Sequence, residues 1–344
     1  MISLAEIAKR CGVSIITVSR ALDPLNSAKV KPSTREKILE VCKKENFYPS
    51  FSARSLASGR TRSIGFIVPG IEVISTPQAG IYLRAFNEEL EKNGYNLLLL
   101  PVNGSDWDVI SSNAEPLILS GRCDSYVTVA FSVSVPPDRP VTMLQTTALQ
   151  DIDAGSFPVV CISNGKAMRN MAEHLRKEGF GKPLFINFGK AVVERIKQWS
   201  MAFAEIGMGE LAVLDMPEGS HLVSGDTAVF ELLRKNQEYI KQFDIWVFSN
   251  DLWAMQAMEF LNEENLTPGK DVAVIGFDNI ERNYTHPRIG TIKPPLTEFG
   301  RAAAKMALER IQFPDKDFSG IRVELESEAL FRESCGSGRK NGKI

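Results

Sequence analysis

Leu4-Ala5-Glu6-Ile7-Ala8-Lys9-Arg10-Cys11-Gly12-Val13-Ser14-Ile15-Ile16-Thr17-Val18-Ser19-Arg20-Ala21-Leu22 spells out two short helices around a glycine turn. Ser3 followed by Glu6 reads as a capping box, and Leu4, Ile7, Ala8 and Cys11 then recur on one helical face. Gly12 ends that helix. Ser14 can cap a second one, which runs to about Leu22 with Val18, Ala21 and Leu22 facing inward. Ile15, Ile16, Thr17, Ser19 and Arg20 are left on its outer side. Downstream, Ser33 and Glu36 read as a second capping box, opening a third helix whose Ile38, Leu39, Val41 and Cys42 complete a small core. The expected result is a compact three-helix unit that presents one helix outward.

The charge distribution suits such a unit. The chain has 344 residues, 44% hydrophobic and 24% charged, and a net charge of -2. Its first 62 residues nevertheless hold twelve Lys and Arg against five Asp and Glu, while the rest hold 28 against 37. A basic segment joined to an acidic body fits a polyanion-binding head, although a solvated charged face would give the same count. A helix of this size fits the major groove of DNA, and helix N-termini attract phosphate. Ser3 and Ser14 can therefore hold a nucleic-acid backbone, with Thr17, Lys29, Lys31 and Arg35 supplying donors or charge. The five cysteines show no paired spacing, so reduced thiols are expected and no metal is implied. No leader or membrane-spanning run is legible, which predicts a cytoplasmic, nucleoid-associated protein without membrane contact.

The letters go further than the spacing. The Leu4 to Leu22 run resembles the head of the LacI/GalR family of bacterial transcriptional regulators, with its pattern xxxVAxxAGVSxxTVSRxLN. Ser33-Thr34-Arg35 and the following Ile38 and Leu39 are similar to the next family helix, and Tyr48-Pro49 with Ala53-Arg54-Ser55-Leu56 to its hinge. The resemblance implies that Ile15, Ile16 and Arg20 read bases and that Ser19 also contacts the DNA. It also implies that Arg54 and Ser55 belong to a hinge helix formed on operator DNA, and that Leu56 wedges into the minor groove. An apolar wedge of that kind unstacks a base step for about a few kcal/mol and bends the duplex. The chain departs from the family where Asp23 replaces an Asn, since a carboxylate there would repel phosphate. Residues 50 to 60 read equally as a linker, because their Ser and Gly content makes a poor isolated helix.

Beyond Arg62 the pattern changes. Apolar runs at 64 to 68, 96 to 100, 125 to 130, 141 to 144, 158 to 162, 184 to 188, 245 to 248 and 272 to 275 read as buried parallel strands. Amphipathic stretches at 80 to 93, 166 to 178, 194 to 206, 225 to 236, 252 to 264 and 297 to 312 read as crossover helices. The fold class expected is therefore an all-α helix-turn-helix head on a two-lobed α/β body of doubly wound parallel sheets. The resemblance makes that body a periplasmic-binding-protein-like effector domain. The expected domains are 1 to 49 (head), 50 to 62 (hinge), 63 to 333 (effector binding and dimerisation) and 334 to 344 (disordered tail). Within the body, lobe 1 takes 63 to 161 and 292 to 320, and lobe 2 takes 162 to 291 and 321 to 333.

Ser63 to Pro69, Glu194 to Trp199, Phe248 to Met255 and Val272 to Asn279 are similar to family stretches of that domain. The resemblance implies that Arg195, Asp251 and Asp278 bind a small-molecule effector, and charge-assisted hydrogen bonds from such a set suit hydroxyl-rich or anionic ligands. For Asp251, capping the helix after its strand is an equal alternative. Ser163-Asn164 and Ile74 to Pro77 depart from the family, so a modified sugar, a nucleoside and a phosphorylated metabolite all stay open. The implied partners are a near-palindromic double-stranded operator, the effector, and a second copy in a homodimer or a tetramer. No cofactor or enzyme signature appears, and the three histidines are far apart. The alternatives are an enzyme or a solute-binding protein of the same α/β fold.

Overall fold

The computed structural model describes residues 2–23, 27–47, 55, 59–145, 157–187, 193–215, 228–280 and 286–337. In the head, α1 (Leu4–Cys11), α2 (Ile15–Leu22) and α3 (Pro32–Lys44) enclose Ile7, Ala8, Cys11, Val18, Ala21, Val30, Ile38 and Cys42. Ser3 Oγ accepts from the Glu6 amide at 3.3 Å, and Gly12, at φ +66°, takes the left-handed turn that closes α1. Ser14 Oγ accepts from the Thr17 amide at 3.1 Å. The third helix departs from expectation, for it starts at Pro32, one residue ahead of Ser33, and has no side-chain cap at Lys31. Proline fixes φ where the first helical residue needs it and has no N–H to leave unpaired, so it sets the start instead. Leu39 is likewise on the surface rather than in the core, at 40% exposure.

Among the described residues the body forms two six-stranded sheets. The first runs β11 (Arg322–Glu326), β5 (Val159–Ser163), β4 (Val141–Gln145), β3 (Ser125–Val129), β1 (Ser63–Pro69), β2 (Asn96–Val102), all parallel. The second runs β12 (Glu328–Leu330), β10 (Gly290–Lys293), β9 (Ala273–Phe277), β8 (Ile245–Phe248), β6 (Pro183–Asn187), β7 (Ala212–Asp215), parallel except for β12. The helices are α4 (Pro77–Lys92), α5 (Trp107–Leu119), α6 (Gly165–Lys177), α7 (Val193–Glu205), α8 (Ala228–Lys235), α9 (Gln237–Ile240), α10 (Asp251–Glu263) and α11 (Leu296–Gln312). On one face of the first sheet α4 and α11 bury Tyr82, Phe86, Phe299 and Ala303 against Phe66, Val127 and Leu144. Gly300 allows the two helices to approach, since a Cβ there would strike the Tyr82 carbonyl. On the second sheet, Ile245 and Val247 face a core shared with α6 and α7, while Trp246 and Phe248 face one shared with α8 and α10.

Four expectations change here. The chain returns to the first lobe through β11, although residues from 321 onward were assigned to the second, and β10 keeps 292 and 293 in the second lobe rather than the first. The run at 96 to 100 is an edge strand, with Leu98 and Leu99 39% and 38% exposed, because only β1 pairs with it. Residues 334 to 337 are ordered structure rather than tail. Ser334 and Cys335 are fully buried, and the Ser334 hydroxyl donates to the Val274 carbonyl at 2.6 Å while accepting from the Gly290 amide at 2.9 Å. Helix α5 carries Pro116 in its interior, which breaks the apolar periodicity that would have announced it. No described helix is long and apolar enough to cross a membrane.

Candidate nucleic-acid interface and effector site

The outer face of α2 follows from its caps and its core. Val18 and Ala21 are buried, which turns Ile15 and Ile16 outward at 51% and 62% exposure, with Ser19 and Arg20 exposed beside them. Ser14 holds the helix start and also shares a hydrogen bond with Thr17 Oγ1 at 2.9 Å. Ser3 and Lys31 are exposed at the starts of α1 and α3, and Lys29 is exposed between α2 and α3. Two basic side chains turn to structural work. Lys37 Nζ donates to the Cys11 carbonyl at 3.0 Å and Arg35 Nε to the Ala21 carbonyl at 3.3 Å, satisfying C-terminal carbonyls of α1 and α2. Asp23 forms an ion pair with Arg62 at 3.7 Å, at the join with the body. In the hinge, Ser55 is half-buried in helical backbone, while Arg54 and Leu56 lie outside the described residues.

In the second lobe, the C-terminal ends of β6, β8 and β9 lie side by side, the place where parallel α/β sheets bind ligands. Arg195, on the first turns of α7, is partly buried. Its guanidinium lies 3.7 Å from the centroid of the Phe277 ring, and Nη1 donates to the Ser249 carbonyl. Asp278 follows β9 and is 5% exposed. Burial lifts its carboxyl to about 6, against the pull of the Arg195 charge. For Arg195 the same desolvation lowers the pKa, and Asp278 opposes it. Asp278 adopts φ +93°, a conformation that costs a non-glycine residue of the order of 1–3 kcal/mol and holds only where the surroundings fix it. One of its oxygens, Oδ2, is buried without a hydrogen-bond partner among the described residues.

Asp251 is not part of that pair. The cap of α10 is Asn250, whose Oδ1 accepts from the Trp253 amide at 2.9 Å, so the capping role expected of Asp251 belongs to its neighbour. Asp251, 2% exposed, instead braces the turn after β9. Its Oδ1 accepts from Thr291 Oγ1 and its Oδ2 from the Ile280 amide, both at 2.7 Å. Gly276 leaves the room, since a Cβ there would collide with Asp251 Oδ1. Desolvation first, and the nearby Asp278 charge, push its carboxyl up to about 7, with the Thr291 hydrogen bond opposing. Sequence reading missed Asn187, at the end of β6. Its Nδ2 donates to Asp215 Oδ1 at 2.6 Å, which fixes the amide and leaves Oδ1 buried and without a hydrogen-bond partner among the described residues. Only the pairing of β6 with β7 brings Asp215 to it. His174 packs on Phe331 at 4.5 Å and hydrogen-bonds the Cys335 carbonyl at 3.0 Å. Among the described residues no His, Cys, Asp and Glu cluster could hold a metal ion.

Comparison with known proteins agrees with both halves. Residues 3–50 match the bacterial regulatory proteins of the lacI family, and residues 172–335 match the periplasmic binding protein-like domain. The chain is 27% identical over 347 residues to the HTH-type transcriptional regulator RegA of Clostridium saccharobutylicum, covering 96% of this chain and 98% of that one. It is 24% identical over 325 residues to the sucrose operon repressor of Escherichia coli, covering 90% and 94%. The lac repressor dimer bound to operator and the anti-inducer ONPF superposes with a TM-score of 0.77 over 97% of this chain and 99% of that one, at 18% identity. With a helix-turn-helix head of that family and a two-sheet sensor body behind it, the chain belongs to the lacI family of bacterial transcriptional regulators.

Proposed function

We propose that a homodimer of this chain places its two α2 helices in successive major grooves of a near-palindromic operator. Ile15 and Ile16 then contact thymine methyls, Arg20 a guanine edge, and Ser3, Ser14, Thr17, Ser19, Lys29 and Lys31 the backbone. Leu56 wedges the minor groove between the heads, flanked by Arg54 and Ser55. The observation that carries this reading is the outward exposure of Ile15 and Ile16 at 51% and 62% on a helix otherwise well packed. Two large apolar side chains left in water at the start of one helix mark a contact surface. The exposed edge at Leu98 and Leu99 suits a self-complementary contact between two copies.

The effector binds at Arg195 and Asp278 and is neutral and rich in hydroxyl groups. The support is chemical. The buried atoms at the strand ends that have no partner among the described residues, Asn187 Oδ1 and Asp278 Oδ2, are acceptors, which call for donors on the ligand. Of the described cations there, Arg195 already faces Asp278 and gives a hydrogen bond to the Ser249 carbonyl, and Arg332 gives hydrogen bonds to Asn279 and the Ile289 carbonyl, leaving little for a phosphate. Asp251 acts from behind, fixing the turn that carries Asp278. By linkage, the effector changes operator affinity only through its preference for one lobe arrangement, typically about 1–3 kcal/mol of coupling.

Two measurements test the reading. Selection from a random duplex pool should return a two-fold symmetric sequence, and Ile16→Ala should relax its preference at one position of each half. A pool that shows no enrichment would remove the operator assignment. A thermal-shift screen pairing neutral sugars with their phosphates should favour the neutral members, since a ligand at 100 times its Kd stabilises by about 2.7 kcal/mol. Stronger stabilisation by the phosphates would overturn the effector chemistry.

A further inference from the structure

A cavity of about 510 Å³ opens at the base of the first sheet, where Asp124 precedes β3, Pro140 precedes β4, and Gly59 and Arg60 lead towards β1. Arg310, on the last turn of α11, lines it and is 8% exposed. Its Nη2 donates to the carbonyls of Pro137 at 3.3 Å and Arg139 at 2.9 Å, and the guanidinium lies 5.1 Å from the centroid of the Phe318 ring. Nε is enclosed, with no partner among the described residues. Nη1 differs from both, for it makes no hydrogen bond with a described residue and yet keeps accessible surface.

The carboxylates of the lining are engaged elsewhere. Asp124 accepts from the Thr61 amide and hydroxyl at 2.7 and 2.9 Å and from the Arg62 amide at 2.9 Å, and Asp317 accepts from the Ser319 amide at 2.8 Å. Lys316 is paired with Glu309 at 2.5 Å. Burial pulls the Arg310 pKa down, and no carboxylate among the described residues opposes that shift. A largely buried guanidinium without an anion is costly, and two carbonyls and a ring offset only part of the loss. What the cavity offers is therefore one charged donor with a free valence. Around it stand Pro137, Pro140, Pro314 and Ile311, stiff apolar walls that present no competing donor.

We infer that this cavity is a binding site, separate from the effector site, for a small aromatic carboxylate whose oxygens accept from Arg310 Nη1 and whose ring covers Ile311 and the neighbouring prolines. A charge-assisted bond to carboxylate is the strong kind open to a guanidinium. The volume lies within the range of small-molecule pockets, and a planar ring fills such walls with little rotamer freedom to lose. A bare phosphate would take the charge and leave the walls wet. Gly59 and Arg60 line the same cavity, so the occupant borders the root of the hinge.

The test follows the Ile311 δ1-methyl resonance of the isotope-labelled full-length chain during titration with benzoate, benzamide and inorganic phosphate. Benzoate and benzamide share a ring and differ in charge, whereas phosphate brings charge without a ring. Ile311→Val identifies the resonance by its loss. Benzoate should move that resonance saturably and bind at least tenfold more tightly than either of the other two. Its advantage over benzamide should vanish in Arg310→Met, which keeps the length of the side chain and removes the charge. An unmoved Ile311 resonance, or benzamide or phosphate bound as tightly as benzoate, would overturn the site. Arg310→Met also gives up the bonds to Pro137 and Arg139. Should it fail to fold, the three probes on the unaltered chain still decide, because that comparison needs no change at Arg310.

Discussion

The head and the second lobe solve opposite problems. On α2 the side chains proposed to meet DNA are neighbours in sequence, stand on one exposed face, and are held by caps from the same stretch of chain, Ser3 to Leu22. In the second lobe the polar residues come from three places spread over more than eighty residues of chain, are largely buried, and exist as a group only because β6, β8 and β9 are adjacent. The difference teaches where charge can be kept. An exposed face can lose a side chain at little cost in stability, whereas a buried pair is coupled to folding.

The sharpest break of that comparison is deletion of residues 1 to 60. It should remove specific operator binding, a loss of about 10³-fold or more relative to non-specific DNA, while the two sheets melt as before. A truncated chain that still discriminates operator would show that the body reads DNA. Next in size, Arg195→Ala strands a buried carboxylate and should cost about 3 kcal/mol in urea melts of the body. Effector binding should disappear with it. Asp278→Asn in the Arg195→Ala background should recover part of the stability but none of the binding, which separates the structural debt from the recognition.

The pH dependence comes from the same pair of carboxylates. Burial raises Asp251 to about 7 and Asp278 to about 6, so the folded chain keeps these protons to higher pH than an unfolded carboxylate near about 4 does. Below that value both states are protonated and neither group costs anything. As pH rises from about 4 to about 7 the unfolded chain ionises first, so stability falls through this window. Asp278→Asn should therefore gain in melting temperature over the unaltered chain between about pH 4 and about pH 6, by about 2 °C or more. A constant difference would place Asp278 in water.

The smallest effects belong to the head. Ser14→Ala removes a cap and should lower the stability of the isolated three-helix unit by about 1 kcal/mol, with weaker operator binding. Ile16→Ala should leave that stability within about 0.5 kcal/mol and lower operator affinity several-fold, since the side chain is 62% exposed in the free protein. A large loss of stability from Ile16→Ala would mean that α2 faces inward.

What the sequence determined by itself was local. Caps at Ser3 and Ser14, the turn at Gly12, the apolar periods of the longer helices and the central strands are set by neighbours within a few residues, and the structure keeps them. Where local rules competed, Pro32 displaced the expected cap at Ser33, and Pro116 concealed a helix capped by Asp106. Only the tertiary structure decided which lobe β10 and β11 join, that Ser334 and Cys335 are core rather than tail, that Asn250 and not Asp251 caps α10, and that Asn187 stands beside Asp215. The physical reason is one of range. Backbone caps and hydrophobic periods act between residues close in the chain, while strand adjacency and the partners of buried polar groups are fixed by contacts that close loops of tens to hundreds of residues and leave no local trace.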